Sequence, residues 1–126
     1  MNRLTGLLLV TIAIIFPAQT MRAQDAVKTD PKHYKVVFEN DTVRVLRITY
    51  GAHEKSVMHD HPNSVAILLT DESTRFTMAD GKSVDLTGKS GEAVWAPAGK
   101  HLPENLADKG FEAILVELKP KMSKAK

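Results

Sequence analysis

Cysteine is absent from this sequence of 126 residues. The chain therefore has no disulfide to reinforce its core, no thiolate to bind a metal and no site for lipoprotein attachment. Aromatic residues are also few, with one tryptophan, two tyrosines and four phenylalanines. The core must form by apolar packing, and a bound metal or a second subunit would add stability, because whatever binds only the folded state stabilises it.

An excess of one charge sign is also absent once the N-terminus is set aside. The chain has 17 basic and 15 acidic residues, and its first 23 residues include Arg3, Arg22 and no acid, so the remainder carries equal numbers of both. No basic patch interleaved with aromatic residues is visible in the sequence. This composition predicts no nucleic-acid partner. Residues 120–126 are rich in lysine and are predicted to form a flexible basic tail.

The N-terminal segment has the order of a secretory signal peptide. Arg3 supplies a positive start, Leu7 to Phe16 is an almost unbroken apolar run, and Ala23 shortly precedes a charged segment. The run is short for a membrane span, which needs roughly 20 residues, so cleavage is favoured over an uncleaved anchor. We expect residues 1–23 to be removed, leaving a periplasmic or secreted protein with no stable membrane association.

Sustained helical periodicity is missing from the remaining sequence, where short apolar runs alternate with turn residues. Residues 24–37 are interpreted as a polar N-terminal lead-in and residues 38–119 as one domain. Within this domain Asp80-Gly81 is a hairpin signal. The run Val65–Leu69 is apolar at every position, as expected of a strand buried on both faces or lying inside a closed sheet. The pattern predicts an all-β barrel or sandwich.

Three histidines are the candidates for chemistry. His59 and His61 are separated by one residue, and Pro62 disfavours a helix at His61. On an extended backbone both side chains point to one face of the strand, and Asp60 points to the other. If the fold brings His101 to the same face, three neutral nitrogen donors suit a divalent transition metal. The alternative is an empty barrel whose histidines are structural.

The order of these histidines and of the glycines around them resembles the two sequence motifs of the cupins. The cupins are a superfamily of small double-stranded β-helix, or jelly-roll, proteins. For the first motif this sequence offers Gly51, His59 and His61. For the second it offers Gly91, Pro97, Gly99, His101 and Asn105. The resemblance covers about Phe38 to Leu118 and implies a cupin-type barrel over residues 38–119. The segment from Trp95 to Asn105 more narrowly resembles small bacterial cupins assigned to β-alanine degradation.

One departure from the cupin pattern bears on the chemistry. The glutamate expected after the histidine pair falls on Val65 or Ala66, which bind no metal. The resemblance then implies a centre of three histidines: His59, His61 and His101. Neutral ligands leave the charge of the ion uncompensated, which favours an anionic small-molecule ligand and open coordination positions. Cupins with three-histidine centres include iron-dependent thiol dioxygenases, so iron is the expected metal, with Zn, Ni, Mn and Cu as alternatives.

Glu104 could restore a carboxylate to this centre, because it follows His101 by three residues in a segment interpreted as a loop at the barrel mouth. The two roles considered are a metal ligand or general acid/base, and a solvent-facing residue, which is favoured. Asn105 is expected to hydrogen-bond the loop backbone. Asp60 is expected to be solvated or paired with a lysine.

Five other side chains are weaker candidates. His33 and His53 are interpreted as surface residues, and His53 could line the mouth of the barrel. Trp95 sits in an apolar run and is expected in the core rather than at a substrate. Met58 and Met78 either fill gaps or line the pocket.

Two functions follow as hypotheses. The first is an exported metal-binding cupin that acts as a metal-dependent, dioxygenase-like oxidoreductase on a small anionic molecule. The second is a non-catalytic module that binds a small ligand or a metal, since the fold does not determine the activity. Cupins of this size often pair, so the resemblance also implies a homodimer.

Overall fold

The computed structural model describes residues 24–121 of the chain. The predicted signal peptide, residues 1–23, and most of the basic tail lie outside the described residues. Among the described residues strands predominate, and one short helix precedes the first strand. The elements are α1 (Ala26–Thr29), β1 (Tyr34–Glu39), β2 (Val43–Tyr50), β3 (His59–His61), β4 (Ser64–Leu68), β5 (Glu72–Met78), β6 (Ser83–Gly88), β7 (Ala93–Ala96), β8 (Gly99–Asn105) and β9 (Phe111–Leu118). No helix of residues 24–121 is long and apolar enough to cross a membrane.

Two antiparallel sheets face each other. The first has five strands in the order β1-β2-β9-β4-β7, and the second has four in the order β3-β8-β5-β6. This architecture confirms the predicted all-β fold. The predicted Asp80-Gly81 hairpin joins β5 to β6, and Gly81 takes the left-handed conformation, with φ of 84°, that a glycine adopts without strain.

The core lies at the β1 and β2 side of the sandwich. Tyr34, Tyr50 and Phe111 are buried there together with Leu46 and Leu115. The rings of Tyr50 and Phe111 stack with centroids 4.9 Å apart, and the two tyrosine hydroxyls are hydrogen-bonded at 2.8 Å. Helix α1 closes this side, because Ala26 is fully buried against the cluster. Part of the segment interpreted as a polar lead-in therefore belongs to the packed fold.

One prediction about strands was wrong, and one of two alternatives is excluded. The segment Gly99–Asn105 is strand β8 rather than a loop, although it contains Pro103, which has no N–H to donate to a sheet. Of the two alternatives for β4, burial on both faces is excluded, and β4 lies inside its sheet between β9 and β7. Ser64 and Leu68 point into the sandwich, whereas Ile67 lies on the outer face and is 36% exposed.

Candidate metal centre

The pairing of β3 with β8 brings the three histidines together. His59 stands directly opposite His101 in this antiparallel pair, and His61 stands opposite Gly99. Both histidines of β3 are buried, and their rings lie 4.8 Å apart between centroids. The ring of His101 is 5.0 Å from that of His59 and 5.3 Å from that of His61. One nitrogen of each ring lies within 4.8 Å of the other two. The predicted convergence is confirmed.

The hydrogen bonds of His59 define which of its nitrogens is free. Its Nδ1 lies 2.8 Å from the backbone oxygen of Val57 and 3.2 Å from Oγ of Ser56. A carbonyl oxygen only accepts, so Nδ1 carries the proton and Nε2 keeps its lone pair. In the described part of the chain Nε2 of His59 has no hydrogen-bond partner, and the same is true of Nε2 of His101. Two buried ring nitrogens without a partner are costly unless something else binds them.

A carboxylate holds His61 in the same tautomer. Nδ1 of His61 donates to Oε1 of Glu117 at 2.7 Å, and Oε2 of Glu117 accepts from Nε of Arg44 at 2.6 Å. Arg44 also contacts Asp25 at 2.8 Å, at the start of α1. Burial raises the pKa of Glu117, but the hydrogen bonds from His61 and Arg44 outweigh it and hold that pKa below its usual value. The ionised Glu117 leaves Nε2 of His61 as the available metal donor.

A second hydrogen-bonded chain supports His59 from the other side. Ser56 donates to Oδ2 of Asp30 at 2.5 Å, and the same oxygen lies 2.6 Å from Nδ1 of His33. Nε2 of His33 in turn lies 2.6 Å from Oε2 of Glu54. Burial raises the pKa of Asp30, but the hydrogen bonds from Ser56 and His33 outweigh it and lower that pKa overall. The ring of His59 is thus fixed in place through a network that reaches the surface at Glu54.

The environment of His59 and His101 lowers the pKa of both side chains. Burial, followed by the charge of His61, lowers the pKa of His59 to about 4. Burial, followed by the charges of His61 and His59, lowers the pKa of His101 to about 3. Both shifts favour the neutral imidazole, which is the form that binds a metal.

The acidic residues near the histidines take other roles. Glu104 lies in β8 on the face opposite His101, where it stands across from Arg75 of β5, and it does not join the cluster. Asp60 also points away from the histidines and stands opposite Lys100. Asn105 donates to the backbone oxygens of Gly51 and Lys109, which confirms the expected backbone role.

The structure corrects two of the weaker predictions and bears on the others. His33 is not a surface residue: it is 5% exposed and stacks on Tyr50 with ring centroids 4.1 Å apart. Trp95 is not in the core, because it is 54% exposed on β7. His53 is exposed as predicted and pairs with Asp108 at 2.6 Å. Met78 lines the cavity between the sheets, whereas Met58 is half-buried outside it.

Sequence reasoning missed the residues that position the histidines. For Glu117 the signal was present in the sequence. Phe111, Ala113 and Leu115 point inward along β9, and a period of two places Glu117 on the same inner face. Ser56 and Asp30 carried no comparable signal, since they lie outside strands and are brought to His59 only by the tertiary fold.

These residues fit a divalent transition metal. The donor set is three imidazoles, two of them with Nδ1 bonded to an acceptor so that Nε2 faces the cluster. The Nε2 atoms of His59 and His101 are buried without a partner among residues 24–121. Outer carboxylates and carbonyls that accept from ligating histidines are the usual support of such centres. Imidazole donors are compatible with Fe, Zn, Ni and Cu, so the donor set does not define the metal.

No protein-family model and no curated protein matches this sequence. Solved structures do match. A cupin domain from Bordetella pertussis Tohama I superposes with a TM-score of 0.64 at 22% identity, over 69% of this chain and 92% of that one. An uncharacterised conserved protein with a double-stranded β-helix domain from Klebsiella pneumoniae gives 0.56 at 19% identity, over 71% and 78%. An RmlC-like cupin family protein from Methanocaldococcus jannaschii gives 0.54 at 14% identity, over 82% and 85%.

The chain therefore has the cupin-type double-stranded β-helix fold, as the resemblance in the sequence predicted. Within that fold it carries a cluster of three histidines close enough together to bind one metal ion. At these sequence identities the likeness extends to the fold and not to an activity.

Proposed function

We propose that this protein is an exported metal-binding cupin whose His59, His61 and His101 hold a divalent transition metal, with iron the first candidate. The observation that carries the proposal is the pair of buried, unpartnered Nε2 atoms of His59 and His101 within the cluster, among the described residues. Bound there, the metal would supply Lewis-acid or redox chemistry at open coordination positions. The residues of the chain would hold the ligating tautomers and exclude water.

We further propose that the protein acts as a dioxygenase-like oxidoreductase on a small anionic molecule. Three neutral ligands leave the positive charge of a bound ion uncompensated, which favours an anionic partner.

Export to the periplasm or the medium is proposed from the apolar N-terminal run. Mass spectrometry of the mature protein tests the export, and a chain that retains residues 1–23 contradicts it.

A non-catalytic binding module is the second candidate, and the position of Glu104 favours it. The carboxylate considered as a general acid/base lies on the face of β8 that points away from the histidines. Among the residues described, the groups able to share a metal at this site are the three histidines alone. A metal centre can bind a ligand without a neighbouring acid or base, whereas a reaction that needs proton transfer at this site would lack Glu104 as its acid/base.

An oxygen-uptake screen of iron-loaded protein against small thiols and carboxylates separates the two candidates. Uptake that depends on a compound and disappears in His101→Ala supports the enzyme. Binding without uptake across the screen supports the module. β-Alanine belongs in the same screen, because the narrower resemblance is to cupins assigned to β-alanine degradation.

A further inference from the structure

A cavity of about 470 Å³ lies between the two sheets, and the candidate metal centre forms one end of it. Its volume lies within the range of roughly 300–1,000 Å³ that is typical of small-molecule sites. His61 and His101 are part of its wall. Any molecule that reaches a metal on these histidines from inside the sandwich must therefore fit this cavity.

The wall of the cavity becomes predominantly apolar with distance from the histidines. Met78 stands directly opposite His101, and Phe76 and Thr74 follow along β5. Leu86 of β6 pairs with Thr74 and extends the same surface. Across the cavity the wall is formed by Ala66 and Leu68 of β4, so that both sides are predominantly apolar away from the histidines.

Charge is distributed unequally along the cavity. Among the described residues the one lysine that borders the cavity is Lys100, which lies opposite Asp60 on the other face of β8 from His101 and so places no charge inside the cavity. At the other end is Glu72, six residues from Met78 along β5 and so on the order of 20 Å from the centre. Burial raises the pKa of Glu72, and no cation pairs with it among residues 24–121. A metal ion on the histidines would supply positive charge at that end, whereas neither the apolar wall beyond it nor Glu72 offers a partner to a second anionic group.

We propose that the ligand of this site is an amphiphilic monoanion, with one anionic head group at the three-histidine end and an uncharged apolar body along β4, β5 and β6. The proposal rests on the proposed function, since the head group binds the metal held by the three histidines. It narrows the substrate class to molecules such as monocarboxylates with an alkyl or aryl body. It disfavours dianions and small zwitterions.

Calorimetric titration of metal-loaded protein with acetate, butyrate and hexanoate tests the proposal. Burial of each methylene in an apolar cavity strengthens binding by up to about fourfold, so we expect hexanoate to bind at least tenfold more tightly than acetate. Adipate has the length of hexanoate and a second carboxylate, and we expect it to bind at least tenfold more weakly than hexanoate. Equal affinities for acetate and hexanoate, or for hexanoate and adipate, would overturn the proposal.

Two matched variants test where the apolar body of the ligand lies. Leu86 lines the cavity and is 49% exposed, whereas Leu69 is 38% exposed and outside the wall. Leu86→Glu is expected to weaken hexanoate at least tenfold and acetate little, whereas Leu69→Glu is expected to change neither. Equal effects of the two variants on hexanoate contradict the proposal. Circular dichroism checks that both variants fold, and the ligand series in the unmodified protein tests the proposal independently of them.

Metal content measured on the same samples distinguishes a failure of the proposed function from a failure of the proposed ligand class. Protein that binds no metal contradicts both the proposed function and the proposed ligand class. Protein that binds metal and shows a flat carboxylate series contradicts the ligand class alone. Metal-free protein is expected to bind hexanoate more weakly than loaded protein, because the head group then lacks its partner.

Discussion

Glu117 supports a candidate metal centre that has no glutamate among its ligands. A carboxylate from β9 takes the place of the one missing after His61 along the chain, but it accepts a hydrogen bond from Nδ1 of His61 and does not join the three-histidine cluster. Its other oxygen binds Arg44, so the pair is held at both ends. Glu117 is 1% exposed, and a buried carboxylate of this kind requires such partners.

We predict that Glu117→Gln weakens metal binding by about 10- to 100-fold, the usual effect of losing a group that orients a ligating histidine. The amide has the same shape, but it loses the charge that fixes the tautomer of His61 and pairs with Arg44. Competition with a chelator measures the affinity. Glu112→Gln is the matched control, because Glu112 pairs with Arg47 on the outer face of the same strand. Equal affinities of the two variants would refute the positioning role.

The buried histidines also predict a pH dependence of stability in the metal-free protein. The pKa values of His59 and His101 are lowered to about 4 and about 3 in the folded state. An unfolded histidine titrates at about 6.5, so below this pH the unfolded state binds protons that the folded state does not. Stability is therefore lost as the pH falls from about 6.5 towards 4, by up to about 1.4 kcal/mol per pH unit for each histidine.

Urea unfolding at several pH values between 7 and 4.5 measures this slope. His101→Gln is expected to make the slope shallower, because one of the two groups is removed. A stability that stays flat over this window, or the same slope in His101→Gln, is inconsistent with the burial of neutral histidines.

At the scale of elements, the pairing of β3 with β8 creates the site. The histidine pair and its extended conformation could be predicted from His59, His61 and Pro62 alone. The register that puts His59 opposite His101 could not be predicted from these residues, because it depends on how two segments forty residues apart are paired. Strand β8 was missed because Gly99 and Pro103 are poor strand formers, and the neighbouring strands β3 and β5 override that preference.

The close approach of β9 to the end of β2 gives a test of this packing. A Cβ atom on Gly110 would lie 2.8 Å from the backbone oxygen of Tyr50, whereas one on Gly99 would meet nothing within 4 Å. We predict that Gly110→Ala lowers the free energy of unfolding by about 1–3 kcal/mol, because backbone must shift to accommodate it. Gly99→Ala should have little effect. Urea unfolding of both variants checks this, and equal stabilities would show that β9 approaches β2 less closely.

At the scale of the whole molecule, the outer face of the five-stranded sheet carries a continuous row of apolar side chains. One row of side chains crosses all five strands in register, and its two ends, Phe38 and Trp95, are each 54% exposed. The row consists of Phe38, Val45, Val116, Val65 and Trp95. The sequence places these residues in strands, but their alignment across the sheet emerges only from the registers. Extended apolar surfaces on soluble proteins commonly mark interfaces.

We propose that a second copy of the chain covers this row, so that the row forms the interface of the expected homodimer. Light scattering after size exclusion is expected to give twice the mass of the mature chain. Trp95→Lys is expected to shift the population towards the monomer, whereas Val57→Lys, at a residue 50% exposed and outside the row, should not. A monomeric wild-type protein would contradict the proposal.

The metal content of the purified protein tests the central claim most directly. Elemental analysis after purification under conditions that preserve metal is expected to find about one transition-metal ion per chain. His59→Ala should lose this ion, whereas His53→Ala should retain it, since His53 is an exposed histidine outside the cluster. Substoichiometric metal in the wild type that is unchanged in His59→Ala would contradict the account and leave the three histidines as structural residues.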